Sequence, residues 1–521
     1  MTGPRTRRFP GTRRLAAAVV AVTTAVTLSG CVSLFVPDRQ GSSATSAPTG
    51  ESVDAGLRPY YEQVLTWEDC GEETTCATAK APLDWQNPDP ADDIELALSR
   101  HSAPGSPQGS LFVNPGGPGA SGYDFVKDSV DYAVSERLQD AFDVIGWDPR
   151  GVGRSSAVDC KDDEGLDEYL YSYIPDPVDS PAYVTKATDQ AVDFAESCLA
   201  NTGKLLEFVD TASTVRDLDM LRAVVGDEKV NYFGFSYGSD IGAQYADTFP
   251  ENVGRMVLDG ATDSSLSRFD VIVQQAEGFD SALRAYLQDC LSTPAECPFR
   301  GSVDDAMVTL DALLDGLGVS PVRGDDGRQL NPNVMTTAIN SAMYTKEYWP
   351  YLSQAITEVM QGDATTAFLL ADSYFGRGED GSYDSNLFEA FTAINCVDYP
   401  VDTDPADIAA LNDQLRQIDP LSEYDTLGDV QCANWPFSYP GDAIKPVTGT
   451  GAAPIVVVGT TNDPATPYRW AEALSDQLES AVLLTYEGEG HIAYDEQDSC
   501  INTPVDDYFV NGTVPTDGLT C

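Results

Sequence analysis

A serine between two glycines marks the first segment that could carry chemistry. Gly234, Ser236 and Gly238 form a Gly-x-Ser-x-Gly pattern; residues 229–233 before it favour a strand and residues 241–249 after it favour a helix. In this setting the glycines let the chain turn sharply and expose the serine hydroxyl as a nucleophile. An ordinary glycine-rich turn would also produce so short a pattern, so the context carries the prediction.

A serine hydroxyl needs a base to remove its proton, and the base needs an acid to fix its tautomer. The chain contains two histidines, His101 and His491. His491 follows a glycine-rich loop at the carboxyl end of a predicted strand, where open α/β sheets bind their ligands. His101 follows an early strand and is predicted to be a surface residue. We therefore predict that His491 is the base.

The acid is predicted to be Asp463, which lies in the loop opened by the apolar strand 455–458. Asp259, at the end of the preceding core strand, is the alternative, whereas Asp495 and Asp498 are predicted to be solvated loop charges. With Asp463, the three residues occur in the order serine, aspartate, histidine, which is the order in α/β-hydrolases.

Acyl transfer also needs hydrogen-bond donors for the negative oxygen of the tetrahedral intermediate. A loop rich in glycine and proline, 114–119, directly follows the predicted strand 111–113. We assign one donor to the Gly117 amide and the other to the amide of Tyr237, the residue after the nucleophile. The alternative is that these glycines only form a tight turn.

The composition excludes several other functions. With 521 residues, 42% hydrophobic and 22% charged, the chain can bury a large core. Its net charge of −53 repels a phosphate backbone, so nucleic acid is excluded as a partner, and it attracts cationic groups such as a free peptide amino terminus. Two histidines cannot build a multi-histidine metal centre. The predicted chemistry requires no metal or organic cofactor.

The first 30 residues are predicted to be an export signal. Several arginines precede an apolar stretch, 15–28, that is too short to span a membrane. The stretch ends in Leu28-Ser29-Gly30-Cys31, which resembles a bacterial lipoprotein box, although a plain secretion signal could also contain this cysteine. We expect lipid on Cys31, a flexible tether over 31–56, and a position on the outer face of the cell membrane or in the cell envelope.

The cysteine count agrees with export. Removing Cys31 from the 11 cysteines leaves an even set, as expected in an oxidising compartment. Neighbours in the sequence suggest five disulfides: Cys70 with Cys76, Cys160 with Cys198, Cys290 with Cys297, Cys396 with Cys432, and Cys500 with Cys521.

The pattern of apolar residues predicts the fold class. Short buried strands alternate with amphipathic helices over 57–261, helices dominate over 262–445, and strands return over 446–521. Alternation of this kind predicts a mainly parallel sheet covered by helices. We therefore expect an α/β-hydrolase core in two parts, with a helical cap inserted between them.

Several motifs together resemble the secreted actinobacterial tripeptidyl aminopeptidases and proline iminopeptidase-like α/β-hydrolases. They match in order over about residues 57–521, and the lipoprotein signal is similar to that of mycobacterial cell-envelope serine proteases. The motifs are Gly116-Gly117-Pro118-Gly119, Asp148-Pro149-Arg150-Gly151-Val152-Gly153-Arg154-Ser155, Asp210-Thr211-Ala212, the segment from Gly234 to Gly238, Asp463-Pro464-Ala465-Thr466-Pro467, and Gly490-His491. Many relatives carry histidine before the first Gly-Gly, where this chain has Pro115.

The resemblance implies a serine peptidase that acts at peptide amino termini under a helical cap, with a carboxyl-terminal segment like that of the tripeptidyl aminopeptidases. Such an enzyme must recognise an ammonium group, and Asp398 is our candidate carboxylate. Two alternatives stay open: an esterase or lipase with the same three residues, and a non-catalytic surface binding protein.

Overall fold

The computed structural model describes residues 44–521, except 72, 179, 296, 400, 402–404, 419–426, 442–443 and 495–498. The predicted signal over 1–30, Cys31, the first part of the tether, Asp495 and Asp498 lie outside the described residues. In the described part, no helix is both long and apolar enough to cross a membrane.

The strands are β1 (Ala44–Thr45), β2 (Thr66–Gly71), β3 (Thr74–Ala81), β4 (Ile94–His101), β5 (Ser110–Asn114), β6 (Asp143–Trp147), β7 (Val230–Phe235), β8 (Val253–Asp259), β9 (Val322–Arg323), β10 (Gln329–Leu330), β11 (Ile455–Asn462), β12 (Ala481–Glu489) and β13 (Leu519–Thr520). The helices are α1 (Arg58–Tyr61), α2 (Gly122–Ala133), α3 (Glu136–Ala141), α4 (Asp163–Leu170), α5 (Pro181–Thr202), α6 (Thr211–Val225), α7 (Tyr237–Thr248), α8 (Arg268–Ser292), α9 (Val303–Val319), α10 (Pro332–Met343), α11 (Trp349–Val359), α12 (Thr365–Phe375), α13 (Leu387–Asp398), α14 (Pro405–Ile418), α15 (Leu427–Ala433), α16 (Tyr468–Gln477) and α17 (Ser499–Asn511).

The main sheet has the strand order β1-β2-β3-β4-β6-β5-β7-β8-β11-β12-β13. Strands from β6 through β5 to β13 pair in parallel, whereas β1 to β4 pair antiparallel. The central strands are buried because helices cover both faces; β5 and the first six residues of β11 are buried throughout. The predicted α/β-hydrolase fold with a mainly parallel sheet is confirmed.

Most of the described residues between β8 and β11 are helical, and the short strands β9 and β10 also lie there; the predicted cap spans 262–445. Two of the helices begin with a capping box: Ser267 and Asp270 at α8, and Ser302 and Asp305 at α9. Helices α4 and α5, which the predicted boundaries place in the core, contact a helix of the predicted cap. These helices lie against α13, where Tyr169 stacks on Phe194 with ring centroids 4.4 Å apart, close to Phe388.

The tether prediction is wrong for residues 44–56. This segment pairs through β1 with β2, the Thr49 amide donates to the Ala223 carbonyl at 2.9 Å, and Arg222 donates to Glu51 at 2.8 Å. Its small, polar residues bury little apolar surface, so composition predicted a flexible chain. Backbone hydrogen bonds and an ion pair hold it instead, and the folded unit begins before residue 57.

All five predicted disulfides are present. They join Cys70 to Cys76, Cys160 to Cys198, Cys290 to Cys297, Cys396 to Cys432, and Cys500 to Cys521. The last of these ties α17 to the chain terminus beside β13.

Candidate active site

Ser236 lies at the sharp turn between β7 and α7. Its backbone has a φ of 55° and a ψ of −125°, a left-handed conformation that non-glycine residues rarely adopt. A Cβ on Gly234 would lie 2.2 Å from the Gly238 carbonyl oxygen, so only glycine fits there. Ser236 precedes the helix but its side chain makes no capping hydrogen bond, which leaves the hydroxyl available for other partners.

His491 and Asp463 lie together at the carboxyl ends of β12 and β11. The His491 Nδ1 atom is 2.8 Å from Asp463 Oδ2 and 2.9 Å from Oδ1. Both side chains are buried, 6% and 0% exposed. Burial lowers the pKa of His491, but the Asp463 charge and this hydrogen bond outweigh it and raise the pKa above the usual 6.5. A histidine held through Nδ1 presents Nε2 as the free ring nitrogen.

Thr466 completes this corner of the site and was missed from the sequence. Its hydroxyl donates to Asp463 Oδ2 at 3.0 Å and lies 3.3 Å from His491 Nδ1. The Thr466 amide donates to Asp463 Oδ1 at 2.8 Å. The carboxylate is therefore held by its own loop as well as by the imidazole. Thr466 belongs to the motif Asp463-Pro464-Ala465-Thr466-Pro467, but the motif does not show what the hydroxyl contacts.

Asp259, the alternative acid, contacts the histidine loop instead of the imidazole. Its carboxylate accepts hydrogen bonds from the Ala493 amide at 3.1 Å and the Tyr494 amide at 2.7 Å. Burial raises its pKa to about 6 despite these bonds. The structure thus places Asp463 on the imidazole and Asp259 behind the loop that carries it.

The turn after β8 connects the serine side of the site with the histidine side. The Ser236 amide donates to the Asp259 carbonyl at 2.9 Å. A Cβ on the next residue, Gly260, would lie 3.1 Å from His491 Cε1. Ser236 and His491 therefore both lie against the two-residue turn formed by Asp259 and Gly260.

The glycine-rich loop after β5 packs on the serine turn. A Cβ on Gly116 would lie 2.5 Å from the Phe235 carbonyl oxygen and 3.0 Å from the Tyr237 amide nitrogen. Tyr237 is the first residue of α7, so its amide has no acceptor within the helix. The loop that carries Gly117 therefore lies beside the Tyr237 amide. The amides of Gly117 and Tyr237 are the two oxyanion donors proposed from the sequence.

The cap reaches the histidine directly through Tyr344, which the sequence analysis did not find. Its carbonyl oxygen accepts from the His491 amide at 2.8 Å, and its ring meets the imidazole edge to face, 5.4 Å between centroids. A Cβ on Gly490 would lie 2.9 Å from the same carbonyl oxygen. The cap and the histidine loop are thus in close contact, which explains the glycine before the histidine.

Asp398, the candidate for binding the substrate amino terminus, is buried at the last position of α13. Both carboxylate oxygens accept hydrogen bonds from Thr211, and the side chain lines a cavity of ≈210 Å³ beside α7 that also contains Asp240, Asp247 and Lys445. Burial raises the pKa of Asp398 well above its usual value, whereas the two hydrogen bonds from Thr211 lower it. The assignment of Asp398 to the substrate amino terminus stays a prediction.

Comparison with known proteins places this site in a family. Two family models match: the α/β-hydrolase fold over residues 109–299, and TAP-like protein over residues 420–521. Serine protease Hip1 of Mycobacterium tuberculosis is 34% identical over 485 residues, 89% of this chain and 92% of the relative. The chain belongs to the TAP-like α/β-hydrolase family.

Other members of the TAP-like α/β-hydrolase family carry different names. Carboxylesterase B of M. tuberculosis is 36% identical over 511 residues, 95% of this chain and 96% of the relative. Tripeptidyl aminopeptidase of Streptomyces lividans is 28% identical over 475 residues, 88% of this chain and 86% of the relative. Membership of this family makes the chain a serine hydrolase.

The two matched regions divide the site between them. The α/β-hydrolase region contains Ser236 and Gly117, and the TAP-like region contains Asp463 and His491. The cap lies largely between the two regions. The candidate site of this chain is therefore assembled from two matched regions, one on each side of most of the predicted cap.

Proposed function

We propose that this chain is a serine peptidase that releases short peptides from free amino termini. Ser236 Oγ attacks the scissile carbonyl carbon, and His491 Nε2 takes the hydroxyl proton and gives it to the leaving amine. Water then hydrolyses the acyl-enzyme with the same histidine as base. Asp463 orients the imidazole, and the Gly117 and Tyr237 amides donate to the oxyanion.

The observation that carries the proposal is the buried hydrogen bond from His491 Nδ1 to Asp463, beside a serine in a strained turn. The bond fixes the tautomer in which Nε2 can accept a proton. The strained backbone conformation of Ser236 places this residue at the N-terminus of α7, next to the glycine loop. This combination supports acyl transfer and does not by itself select a peptide or an ester.

The peptide substrate is supported by the relatives' names, serine protease and tripeptidyl aminopeptidase. The net charge of −53 favours cationic substrates, including a protonated amino terminus. An esterase is the second candidate, because a relative of 36% identity is named carboxylesterase B.

Three matched substrates separate these activities: a chromogenic tripeptide amide with a free amino terminus, the same compound acetylated, and an acyl ester. We expect the free tripeptide to give the highest kcat/KM and acetylation to lower it. Ser236→Ala is the matched control and should turn over none of them. Sequencing the products of a longer peptide should then give short amino-terminal fragments. Cleavage of internal bonds in the acetylated peptide, or turnover of the ester alone, would refute the exopeptidase.

The proposal includes export and a lipid anchor on Cys31. An arginine-rich start, a short apolar stretch and a lipoprotein-like box support it, and the five disulfides fit an oxidising compartment. When cells are grown with labelled palmitate, the label should become covalently attached to the wild-type protein and should be absent from the Cys31→Ser variant. Release of an unlabelled wild-type protein into the medium would contradict the anchor.

A further inference from the structure

Helix α13 of the cap packs against the loop that carries one proposed oxyanion donor. A Cβ on Gly119 would lie 2.5 Å from the Leu387 carbonyl oxygen and 2.9 Å from the Phe391 amide nitrogen. Gly119 also has a φ of 97°, which other residues rarely adopt. The loop that contains Gly117 therefore lies directly on the first turn of α13.

The other end of the same helix is linked through Thr211 to the side chain of Tyr237, the residue whose amide is the second proposed donor. Asp398 is the last residue of α13; the Thr211 hydroxyl donates to its Oδ2 at 2.6 Å and the Thr211 amide donates to its Oδ1 at 3.0 Å. The Thr211 hydroxyl also lies 2.5 Å from the Tyr237 hydroxyl. Asp398 is 8% exposed and Thr211 1%, so water does not readily replace these partners. One chain of hydrogen bonds thus joins the cap to the first residue of α6 and the first residue of α7.

We infer that Asp398 and Thr211 are positioning residues that fix the Tyr237 amide toward the oxyanion, so that the cap helix α13 holds both donors in place. The inference rests on the proposed function, because it assumes acyl transfer at Ser236. The Tyr237 side chain and amide belong to one residue beside a strained turn, so anchoring the hydroxyl restricts the direction of the amide. A buried and fully bonded network is rigid, whereas the loss of one member leaves the others without partners.

Loss of the network should affect kcat more than KM. The negative charge is present only in the tetrahedral intermediate and its transition states, so a misdirected amide costs turnover more than substrate binding. Loss of the network should therefore lower kcat and leave KM nearly unchanged.

Thr211→Val and Thr211→Ser test the inference, because valine matches threonine in shape and lacks the hydroxyl, whereas serine keeps it. Thr211→Val should lower kcat per active site about tenfold with KM within about twofold. The inhibition constant of a peptide trifluoromethyl ketone, which forms the tetrahedral adduct, should rise by a similar factor. Thr211→Ser should restore both values. Tyr237→Phe removes the next hydroxyl and should act in the same direction as Thr211→Val.

Thr392→Val is the matched control. Thr392 is a buried threonine of the same helix, and among the described residues its hydroxyl donates to the Phe388 carbonyl within α13 at 2.9 Å. This variant should retain wild-type kcat and inhibitor affinity.

Active sites are counted by fluorophosphonate labelling of Ser236 in every variant. The inference would be overturned if Thr211→Val and Tyr237→Phe kept the wild-type kcat per labelled site and the wild-type inhibitor affinity. This holds even if fewer molecules of these variants are labelled, because kcat is calculated per labelled site. A wild-type protein that is not labelled at Ser236 would refute the proposed function first, and the inference with it.

Discussion

The Nδ1 atom of His491 lies 2.8 Å from Oδ2 of Asp463, although 28 positions separate these residues in the chain. Their strands are parallel neighbours, with Asn462 opposite Glu489 at the ends of β11 and β12. The contact is therefore built by strand register, and each side chain occupies the loop directly after its strand.

Replacing the two candidate acids should cause different losses of activity. Asp463→Asn should lower kcat/KM by about 10³–10⁴-fold, because an amide does not hold the imidazole in the required tautomer. Asp259→Asn should cost less than about tenfold, since its remaining oxygen can still accept from the Tyr494 amide. Steady-state kinetics of both purified variants decide between them. Equal losses in both variants would contradict the assignment of Asp463.

The raised pKa of His491 predicts the acid limb of the pH profile. Only the neutral imidazole can accept the serine proton, so kcat/KM should fall as the pH drops through a midpoint above 6.5. Asp463→Asn removes the charge that raises this pKa, so the midpoint should move to lower pH while the plateau falls. The measurement is kcat/KM against pH for both proteins. An acid limb that stays at the same pH in the variant would assign it to another group.

Much of this site could be predicted from the sequence. Ser236 stands out through its flanking glycines, and His491 because the chain has only two histidines. Asp463 follows from its position after an apolar strand and from the order of the three residues. These signals come from short stretches of sequence or from the composition of the whole chain, so they can be used without knowing how the chain packs.

Contacts between the cap and the rest of the chain could not be predicted. Tyr344 meets His491 through its backbone carbonyl, which any residue could supply. Asp398 is one of 83 acidic residues, and only packing shows that it binds Thr211. The contacts of α4 and α5 with α13 could not be predicted either, because helical periodicity carries no information on the partner of a helix.

The close approach of the glycine loop predicts a severe effect at Gly116. Gly116→Ala would place a methyl group 2.5 Å from the Phe235 carbonyl oxygen at a φ of 92°, so the loop must move. A shift of about 1 Å at the oxyanion donors should lower kcat/KM by about 10²-fold. Gly316→Ala is the control, because it lies in α9 with no atom within 4 Å of the new Cβ, and it should keep full activity. Full activity in Gly116→Ala would separate this loop from the site.

A buried ion pair predicts a change in stability without a change in chemistry. The Arg150 guanidinium is fully buried and donates to both oxygens of Asp217 at 2.7 Å, and to the Leu83 carbonyl at 2.9 Å. Arg150→Met leaves the Asp217 charge unpaired and should lower the free energy of unfolding by about 3–5 kcal/mol. Urea denaturation measures the loss, and Arg150→Met with Asp217→Leu should recover part of it. Wild-type stability in the single variant would contradict the structural role.

Peptide mass spectrometry that locates a covalent fluorophosphonate label tests most directly whether Ser236 is the nucleophile. We expect one label per molecule on Ser236, much slower labelling in His491→Ala, and none in Ser236→Ala. A fully active wild-type enzyme that carries no label on Ser236, or carries it on another serine, would show that Ser236 is not the nucleophile.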